Sequence, residues 1–394
     1  MRFSFVLGLV VAGLAIPSCR PPAWPVVPGT GDVPGRDGVP LPDDVEISLL
    51  AVEETVVDSG FAIPWSVEVI REDEYLVSER FGSLVYLRGG ERTVLDGLPA
   101  SRIYDYPPLW LGGYNDVSLH PGFDENGLVY LAYVDDEYRM AVGRFDFSDR
   151  TVRDFEVVFE SRNFTLGSRI AWQDENHFFV TQGIAGAPRP EPGAQDFNND
   201  GGKIHRLRAD GSIPEDNPVF EGMTGPTSIW TYGHRDQHGL LFDDGALYSN
   251  EFGPLGGDEL NLIEKGGNYG WPLFSYGVNY DWSPVGSLSE EEARASTVMP
   301  LRGWGTEFNM GPSGLLRLSG STFPEWDGWF VWGALAQHRL IAYDPVSDRT
   351  AILMEHAGRI RDVAQLPGGD LLILRDATSL EANDGAVVRL GRVR

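Results

Sequence analysis

The stretch from Glu251 to Pro272, EFGPLGGDELNLIEKGGNYGWP, concentrates residues that can do chemistry. It places the adjacent carboxylates of Asp258 and Glu259 between two glycine-rich turns, and no phosphate-loop spacing fits it. One use of such carboxylates is purely structural, because they can cap turns and pair with arginines. The surrounding sequence must show whether they do more.

Arginines form a second set of candidates. Arg235 lies in YGHRDQHG, and Arg359 and Arg361 lie in GRIRDV. In a strand the latter two side chains point to the same face, as two clamps for carboxylates should. The alternative is a pair of surface arginines on an acidic protein.

Composition limits the partners. The chain of 394 residues has a formal net charge of −27, so nucleic acid and anionic lipid surfaces are excluded as natural partners. Apolar residues make up 42%, which indicates a globular chain. The 48 glycines and 27 prolines, which follow no collagen-like period, indicate many turns between short strands.

The N-terminus indicates export. Residues 3–16, FSFVLGLVVAGLAI, are too short to span a bilayer but suit a signal-peptide core, and Cys19, the only cysteine, follows. We expect a signal peptide over 1–18, lipid acylation at Cys19 and a proline-rich tether over 19–44. Membrane contact would then occur only through the lipid anchor, in the periplasm or cell envelope. The alternative is an ordinary signal peptide cleaved nearby.

From residue 45 onward one unit recurs, in which a short aromatic or β-branched strand is followed by a polar loop and a second strand. The six copies span 75–87, 127–147, 178–207, 246–263, 329–344 and 371–390. Such repetition predicts an all-β fold, a six-bladed β-propeller over residues 45–394. A sandwich or two β domains are the alternative. In a propeller the loops at one end of the channel carry the ligands.

Several ordered motifs across residues 58–392 resemble one known family. They are PWSVEVI, GGYNDVSLHPGFDENGLVYLAY, GKIHRLRADGSIPEDNP, YGHRDQHGL, the stretch from Glu251, GPSG with FPEWDGWFVWGAL, and GRIRDV. The chain resembles the soluble pyrroloquinoline-quinone-dependent aldose dehydrogenases, also called the glucose/sorbosone dehydrogenase family. The family fold is a six-bladed propeller, in agreement with the repeats.

The resemblance implies that the stretch from Glu251 binds calcium, a hard cation that takes six to eight oxygens. Asp258 and Glu259 would supply charge, and the carbonyl of Tyr269 would turn inward. Gly253 and Pro254 match the pair whose carbonyls face the calcium of the cofactor.

The resemblance also implies a site for pyrroloquinoline quinone, a planar tricarboxylate. Arg235, Arg359 and Arg361 match positions that meet the quinone, with Asp236 beside them. Guanidinium groups suit carboxylates because they offer a bidentate fork. The expected substrate is a small sugar; the electron acceptor is not identified by the sequence.

The chain departs from the family where catalysis occurs. The family uses a histidine as general base for the anomeric hydroxyl, and Thr165 stands there in NFTLGSRIAW. Threonine has no pKa near neutrality and cannot replace it. Ile184 replaces the aspartate that supports this histidine, and Leu111 and Ala336 replace further polar contacts.

His238 is the candidate for a relocated base beside Arg235, because the usual Arg-Asn-Pro-Gln run has become Arg-Asp-Gln-His. The alternative is a loop histidine bonded to a backbone carbonyl. The sequence therefore supports an exported quinone-dependent aldose dehydrogenase with an altered site. A non-enzymatic calcium-binding propeller lipoprotein for a carbohydrate or protein ligand is the second hypothesis. A calcium-dependent lactonase-like hydrolase is the third, without a motif of its own.

Overall fold

Six sheets surround one channel in the computed structural model, which describes residues 41–106, 109–184, 192–378 and 382–393. The first strands of the six sheets contact one another in a closed ring. The fold is a six-bladed β-propeller, which confirms the prediction from the repeats. The expected signal peptide 1–18, Cys19 and the tether up to residue 40 lie outside the described residues. No helix in the described ranges is long and apolar enough to cross a membrane.

The strands follow one another blade by blade. The first strands in the described residues are β1 (Val45–Ile47) and β2 (Val52–Phe61). Blade 1 has β3 (Pro64–Arg71), β4 (Glu74–Glu79), β5 (Ser83–Arg88) and β6 (Glu91–Val94). A ribbon of β7 (Ile103–Tyr106) and β8 (Leu109–Gly112) leads to blade 2, with β9 (Tyr114–Leu119), β10 (Leu128–Val134), β11 (Met140–Asp146) and β12 (Arg153–Glu160). Blade 3 has β13 (Ile170–Asp174), β14 (His177–Gln182), β15 (Lys203–Arg208) and β16 (Ile229–Tyr232).

The second half continues in the same order. Blade 4 has β17 (Gln237–Asp243), β18 (Ala246–Glu251), β19 (Asp258–Ile263) and β20 (Arg302–Trp304). Blade 5 has β21 (Pro312–Arg317), β22 (Phe330–Ala334), β23 (Arg339–Asp344) and β24 (Arg349–Met354). Blade 6 has β25 (Ile360–Gln365), β26 (Leu371–Arg375) and β27 (Gly385–Arg392). The short helices are α1 (Phe123–Asn126), α2 (Glu290–Ser296) and the 3₁₀ turns Pro192–Gln195, Thr306–Phe308 and Pro324–Trp326.

An apolar cluster fills each of the six interfaces between neighbouring blades. In β10, Val129 and Leu131 pack toward blade 1, whereas Tyr130 and Ala132 pack toward blade 3. Both faces of the middle strands are therefore buried, because successive side chains point to opposite faces. The six repeats in the sequence are these second and third strands of each blade.

The N-terminal strands close the ring. Blade 6 takes β2 as its outermost strand, antiparallel to β27, with Val52 opposite Arg392 and Phe61 opposite Gly385. Blade 5 takes β1 as a fifth strand, parallel to β24. Closure leaves no long unpaired edge between the first and last blades.

Arg169 ties the inner strands together. Its Nη1 lies 3.0 Å from Oδ1 of Asp116 and 3.0 Å from Oδ2 of Asp362. Its Nε donates to the carbonyl of His238 at 2.8 Å, and its Nη2 donates to the carbonyl of Arg361 at 3.1 Å. One buried guanidinium thus links blades 2, 3, 4 and 6 around the channel.

A cavity of about 140 Å³ lies beside this arginine and is lined by Glu68, Asp116 and Asp362 among others. Burial, with the charges of the two aspartates, raises the pKa of Glu68 to about 8. Its folded-state pKa therefore exceeds its unfolded value, so the stability it contributes is complete at acidic pH and is lost as the pH rises through about 8.

Glu68→Gln removes this ionisation. We expect the variant to melt at the wild-type temperature at about pH 5 and above that temperature at about pH 9, because only the wild type must then ionise a carboxyl group close to Asp116 and Asp362. Thermal unfolding at both pH values measures this. The exposed Glu53→Gln serves as control and should show no such dependence. If the difference in stability between Glu68→Gln and the wild type does not change with pH, the raised pKa of Glu68 is contradicted.

Candidate active site

One end of the channel brings the predicted residues together. Arg235 and Asp236 precede β17, Gly253 and Pro254 connect β18 to β19, and Arg359 immediately precedes β25. These are connections between the second and third strands of a blade, or from one blade to the next. Such connections all reach the same end of a propeller.

A small cavity lies under the turn after β18. It measures about 10 Å³, roughly the space of one water molecule, and Glu251, Glu259, Gly253, Tyr269 and Arg235 contribute to its lining. Glu251 and Glu259 are directly opposite each other on β18 and β19. Like charges in that position are unfavourable unless something positive separates them. Burial and the neighbouring Glu251 raise the pKa of Glu259 well above its ordinary value.

Glu251 was not among the predicted ligands, although it begins the quoted stretch. Nδ1 of His234 lies 3.2 Å from its Oε1, and the main-chain N–H of Arg235 donates to its Oε2 at 2.8 Å. Asn261 donates to Oε1 at 2.9 Å. The carboxylate is thus fixed in place. Predicting the β18–β19 hairpin in the register that pairs Glu251 with Glu259 would have identified Glu251 as a candidate ligand.

Asp258 has a different environment from Glu259. Its Oδ1 accepts the main-chain N–H of Gly253 at 3.1 Å, and its Oδ2 accepts those of Met310 and Gly311 at 2.6 and 2.9 Å. Burial raises its pKa to about 6 despite these bonds. Asp258 therefore anchors the turn to blade 5, which is the capping role given above as the alternative to metal binding.

Oxygen donors around the cavity are two carboxylates and main-chain carbonyls. In the part of the chain that the structure describes, no three Asp, Glu, His or Cys side chains converge in a way that could hold a metal ion. The carbonyl of Gly253 faces the guanidinium of Arg235, whose Nη1 donates to it at 3.0 Å. Calcium accepts carboxylate and carbonyl oxygens together, so this donor set fits a hard cation better than a transition metal.

Guanidinium groups gather around Trp65. The Cζ atoms of Arg80 and Arg361 lie 4.1 and 4.7 Å from the Trp65 ring centre. Asp376 accepts from Arg361 at 2.6 Å and lies 3.5 Å from Nε of Arg359. Both predicted arginines therefore reach one acid, and Arg361 is buried rather than on the surface.

Charge in this cluster is unbalanced. Burial alone would raise the pKa of Asp376, but the guanidinium groups of Arg361 and Arg359 hold it below its ordinary value. Burial and the nearby Arg361 lower the pKa of Arg80 to about 9. Arg80 was not predicted, because nothing in SERFGS marks it. The three arginines around one aspartate form a site suited to an anion.

His238 lies in β17 with its ring stacked on Phe252, at 4.1 Å between centres, and tilted against Trp65 at 5.0 Å. Its Nε2 is 3.1 Å from Oδ2 of Asp236, outside hydrogen-bond geometry. Among the described residues, neither ring nitrogen nor Oδ1 of Asp236 has a hydrogen-bond partner. Burial lowers the pKa of His238. The alternative of a histidine bonded to a backbone carbonyl is not seen in these ranges.

The loops of Thr165 and Ile184, two of the four positions predicted to depart from the family, reach this pair. Thr165 is buried and donates from Oγ1 to the carbonyl of Gly167 at 2.6 Å. A Cβ on Gly167 would come within 3.2 Å of Nε2 of His238. Ile184 follows Gly183, where a Cβ would come within 2.3 Å of Oδ1 of Asp236. The loops that carry Thr165 and Ile184 therefore both touch the Asp236–His238 pair.

A family model described as glucose/sorbosone dehydrogenase matches residues 61–389. The chain belongs to this family. It is 33% identical over 341 residues to aldose sugar dehydrogenase YliI of Escherichia coli, across 81% of this chain and 88% of that protein. It is 43% identical over 110 residues to quinoprotein glucose dehydrogenase B of Acinetobacter calcoaceticus, 28% of this chain and 23% of that protein.

Solved structures of glucose/sorbosone dehydrogenases agree with the fold. The apo form of the soluble aldose sugar dehydrogenase from Escherichia coli superposes with a TM-score of 0.75 at 29% identity. The match covers 87% of this chain and all of that one. The propeller fold and the family are therefore established. What the site can do chemically must be argued from the residues described above.

Asp258→Asn tests the anchoring role. An amide cannot accept all three main-chain N–H groups, so we expect the free energy of unfolding to fall by about 1–3 kcal/mol even with a chelator present. Urea unfolding measures this. Glu259→Gln is the control and should leave the stability of the chelated protein unchanged or higher, because it removes a like charge. A loss in Asp258→Asn that appears only with calcium would instead make Asp258 a metal ligand.

Proposed function

We propose that the protein is an exported quinone-dependent oxidoreductase that oxidises aldose sugars at the anomeric carbon. In this proposal His238, supported by Asp236, takes the role of the general base. The observation that supports it is the contact of this buried pair with the loops of Thr165 and Ile184. In this proposal the base and its supporting acid both lie at the start of β17, whereas the family pattern places them at the positions of Thr165 and Ile184.

Proton transfer would proceed at His238. Burial lowers its pKa, so the ring is neutral at neutral pH and is able to accept a proton. The negative charge of Asp236, 3.1 Å from Nε2, would favour the tautomer with its proton on that nitrogen, and Nδ1 would then accept the hydroxyl proton. Asp236 also stabilises the imidazolium that results, as the acid does in a catalytic triad.

The cofactor would be pyrroloquinoline quinone, which when bound supplies the acceptor for the hydride from the sugar. Arg80, Arg359 and Arg361 would hold its carboxylates. Nε of Arg361 is buried with no hydrogen-bond partner among the described residues, which favours an additional acceptor there. Arg235, next to the small cavity, would stabilise negative charge that develops on the acceptor.

Calcium would occupy the small cavity. Glu251 and Glu259 would provide charge, and the carbonyls of Gly253 and Tyr269, which also line this cavity, would add neutral oxygens. The facing carboxylates support this assignment, because a divalent cation relieves their repulsion. Arg235 would then release the carbonyl of Gly253.

Export and anchoring belong to the same proposal. The apolar run of residues 3–16 followed by Cys19 supports a lipoprotein signal, and the proline-rich tether would hold the propeller away from the membrane.

A non-enzymatic calcium-binding propeller remains the second candidate. Thr165 and Ile184 favour it, because neither can perform the acid–base role of the residues they replace.

His238→Gln should lower kcat of dye-linked glucose oxidation about 10²–10⁴-fold in protein loaded with calcium and the quinone. Asp236→Asn should lower it less and move the acidic limb of the pH profile to lower pH, because the aspartate raises the pKa of the ring. His177→Gln is the control, since His177 pairs with Asp174 between β13 and β14. Wild-type activity in His238→Gln would rule out this base. Wild-type protein that binds the quinone without turnover would favour the non-enzymatic candidate.

Calcium should stabilise the wild type by mass action and so raise its melting temperature. The free energy of unfolding should increase on the order of 2.7 kcal/mol at a hundredfold excess over Kd. Glu259→Gln should lose most of this rise, because it removes one of the two charged ligands. The exposed neighbour Glu264→Gln should keep it. Differential scanning calorimetry with calcium and with a chelator measures the effect. A wild-type melt that calcium does not change would refute the metal assignment.

A further inference from the structure

Lys203 is a buried cation whose bonding partners carry no charge. It begins β15, its side chain is 0% exposed, and it is one of two lysines in the chain. Its Nζ donates to the carbonyls of Gly193, Ala194 and Gly201 at 2.8, 2.9 and 3.0 Å. The ammonium form has three N–H groups for these three oxygens, whereas a neutral amine has two. A buried charge held by neutral groups is costly, which indicates a role beyond packing.

The 3₁₀ turn Pro192–Gln195, which Lys203 holds from one side, contacts two further segments of the chain. The carbonyl of Ala194 also accepts the N–H of Gly233 at 3.0 Å. The carbonyl of Gly233 in turn accepts the N–H of Trp271 at 2.7 Å. One carbonyl oxygen therefore connects the lysine, through short hydrogen bonds, to residues on both sides of the turn.

Gln195 connects the same turn to residues 268–271. Its side-chain amide exchanges two hydrogen bonds with that of Asn268, both of 2.9 Å, and its Nε2 donates to the carbonyl of Trp271 at 2.7 Å. A Cβ on Gly233 would come within 2.2 Å of Oδ1 of Asn268 and 2.8 Å of Nε2 of Gln195. The three segments are so closely packed that a displacement of the turn must displace the other two.

Both of these segments supply the lining of the small cavity between β18 and β19. Arg235 follows Gly233 by two residues, and Tyr269 and Trp271 belong to residues 268–271; all three of these side chains or their backbones border the cavity. Groups that orient the ligands of a metal, without touching it, typically account for about 10–100-fold in metal affinity.

We propose that Lys203 is a positioning residue for the cation cavity. Its ammonium group fixes the turn Pro192–Gln195, and the turn fixes Tyr269 and Arg235 in their places at the cavity. The inference rests on the proposed function, because it takes calcium as the ligand of this cavity. The alternative is that the ammonium group only stabilises the fold, as a cap on the carbonyl end of the turn.

Lys203→Met tests the inference, because it keeps an unbranched apolar side chain but has no N–H to donate. Isothermal titration calorimetry at about pH 6 measures calcium binding. Burial lowers the pKa of Lys203 to about 7, although the charge of Asp200 opposes this, so the lysine is charged at that pH. Protonation of Glu259 affects all variants alike. We expect Kd for calcium to rise about tenfold.

Three further variants separate positioning from other effects. Gln195→Leu should give a similar rise in Kd although Lys203 is intact. Lys265→Met is the matched control, because Lys265 is the other lysine and is exposed, and it should bind calcium like the wild type. Val129→Ala removes packing between blades 1 and 2, so it should lower stability without changing Kd.

The inference is overturned if Lys203→Met binds calcium as tightly as the wild type. Tighter binding would also overturn it, because that is the direct electrostatic result of removing a positive charge near a cation. An equal rise in Kd for Val129→Ala would assign the effect to lost stability. If Lys203→Met does not fold, wild-type affinity in Gln195→Leu overturns the inference. A wild type that binds no calcium would refute the metal assignment of the proposed function, and the inference with it.

Discussion

The ion pairs of Arg169 in the channel are the constraint on which the rest of the structure depends. A buried guanidinium requires partners on all sides, and here they come from blades 2, 4 and 6. Removing one partner of such a group typically costs about 3–5 kcal/mol, because the other charge is left buried. The inner strands can therefore approach only in the arrangement that satisfies this residue. Two of its acceptors are the carbonyls of His238 and Arg361, so the same contacts position the site.

Two opposite charge imbalances meet at this end of the channel. Glu251 and Glu259 face each other on neighbouring strands, whereas Arg80, Arg359 and Arg361 surround a single aspartate. Each imbalance favours a ligand of the opposite charge, and the rings of Phe252, His238 and Trp65 pack between the two groups.

The sequence predicts the blades well because their middle strands are apolar on both faces. It does not predict ring closure, because β2 is largely exposed and pairs with a strand over 300 residues away. Arg235, Arg359 and Arg361 were predicted from motifs, whereas Arg80 was not, because its place in the arginine cluster depends on contact with Trp65 in three dimensions. Asp258 and Glu259 look equivalent in sequence. They differ because adjacent strand residues point to opposite faces, and one meets backbone donors while the other meets Glu251.

The parallel pairing of β1 with β24 has a mechanical consequence. A force applied to the chain before Val45 acts along β1, and the hydrogen bonds of a parallel ladder are evenly spaced across that direction. Because the bonds lie across the direction of the force, they share the load as shear. They do not break one after another from one end of the strand. Behind it, the longer antiparallel seam of β2 and β27 resists separation in turn. Tension on the chain before Val45 would therefore be taken up at the outer edges of blades 5 and 6, where β1 and β2 lie.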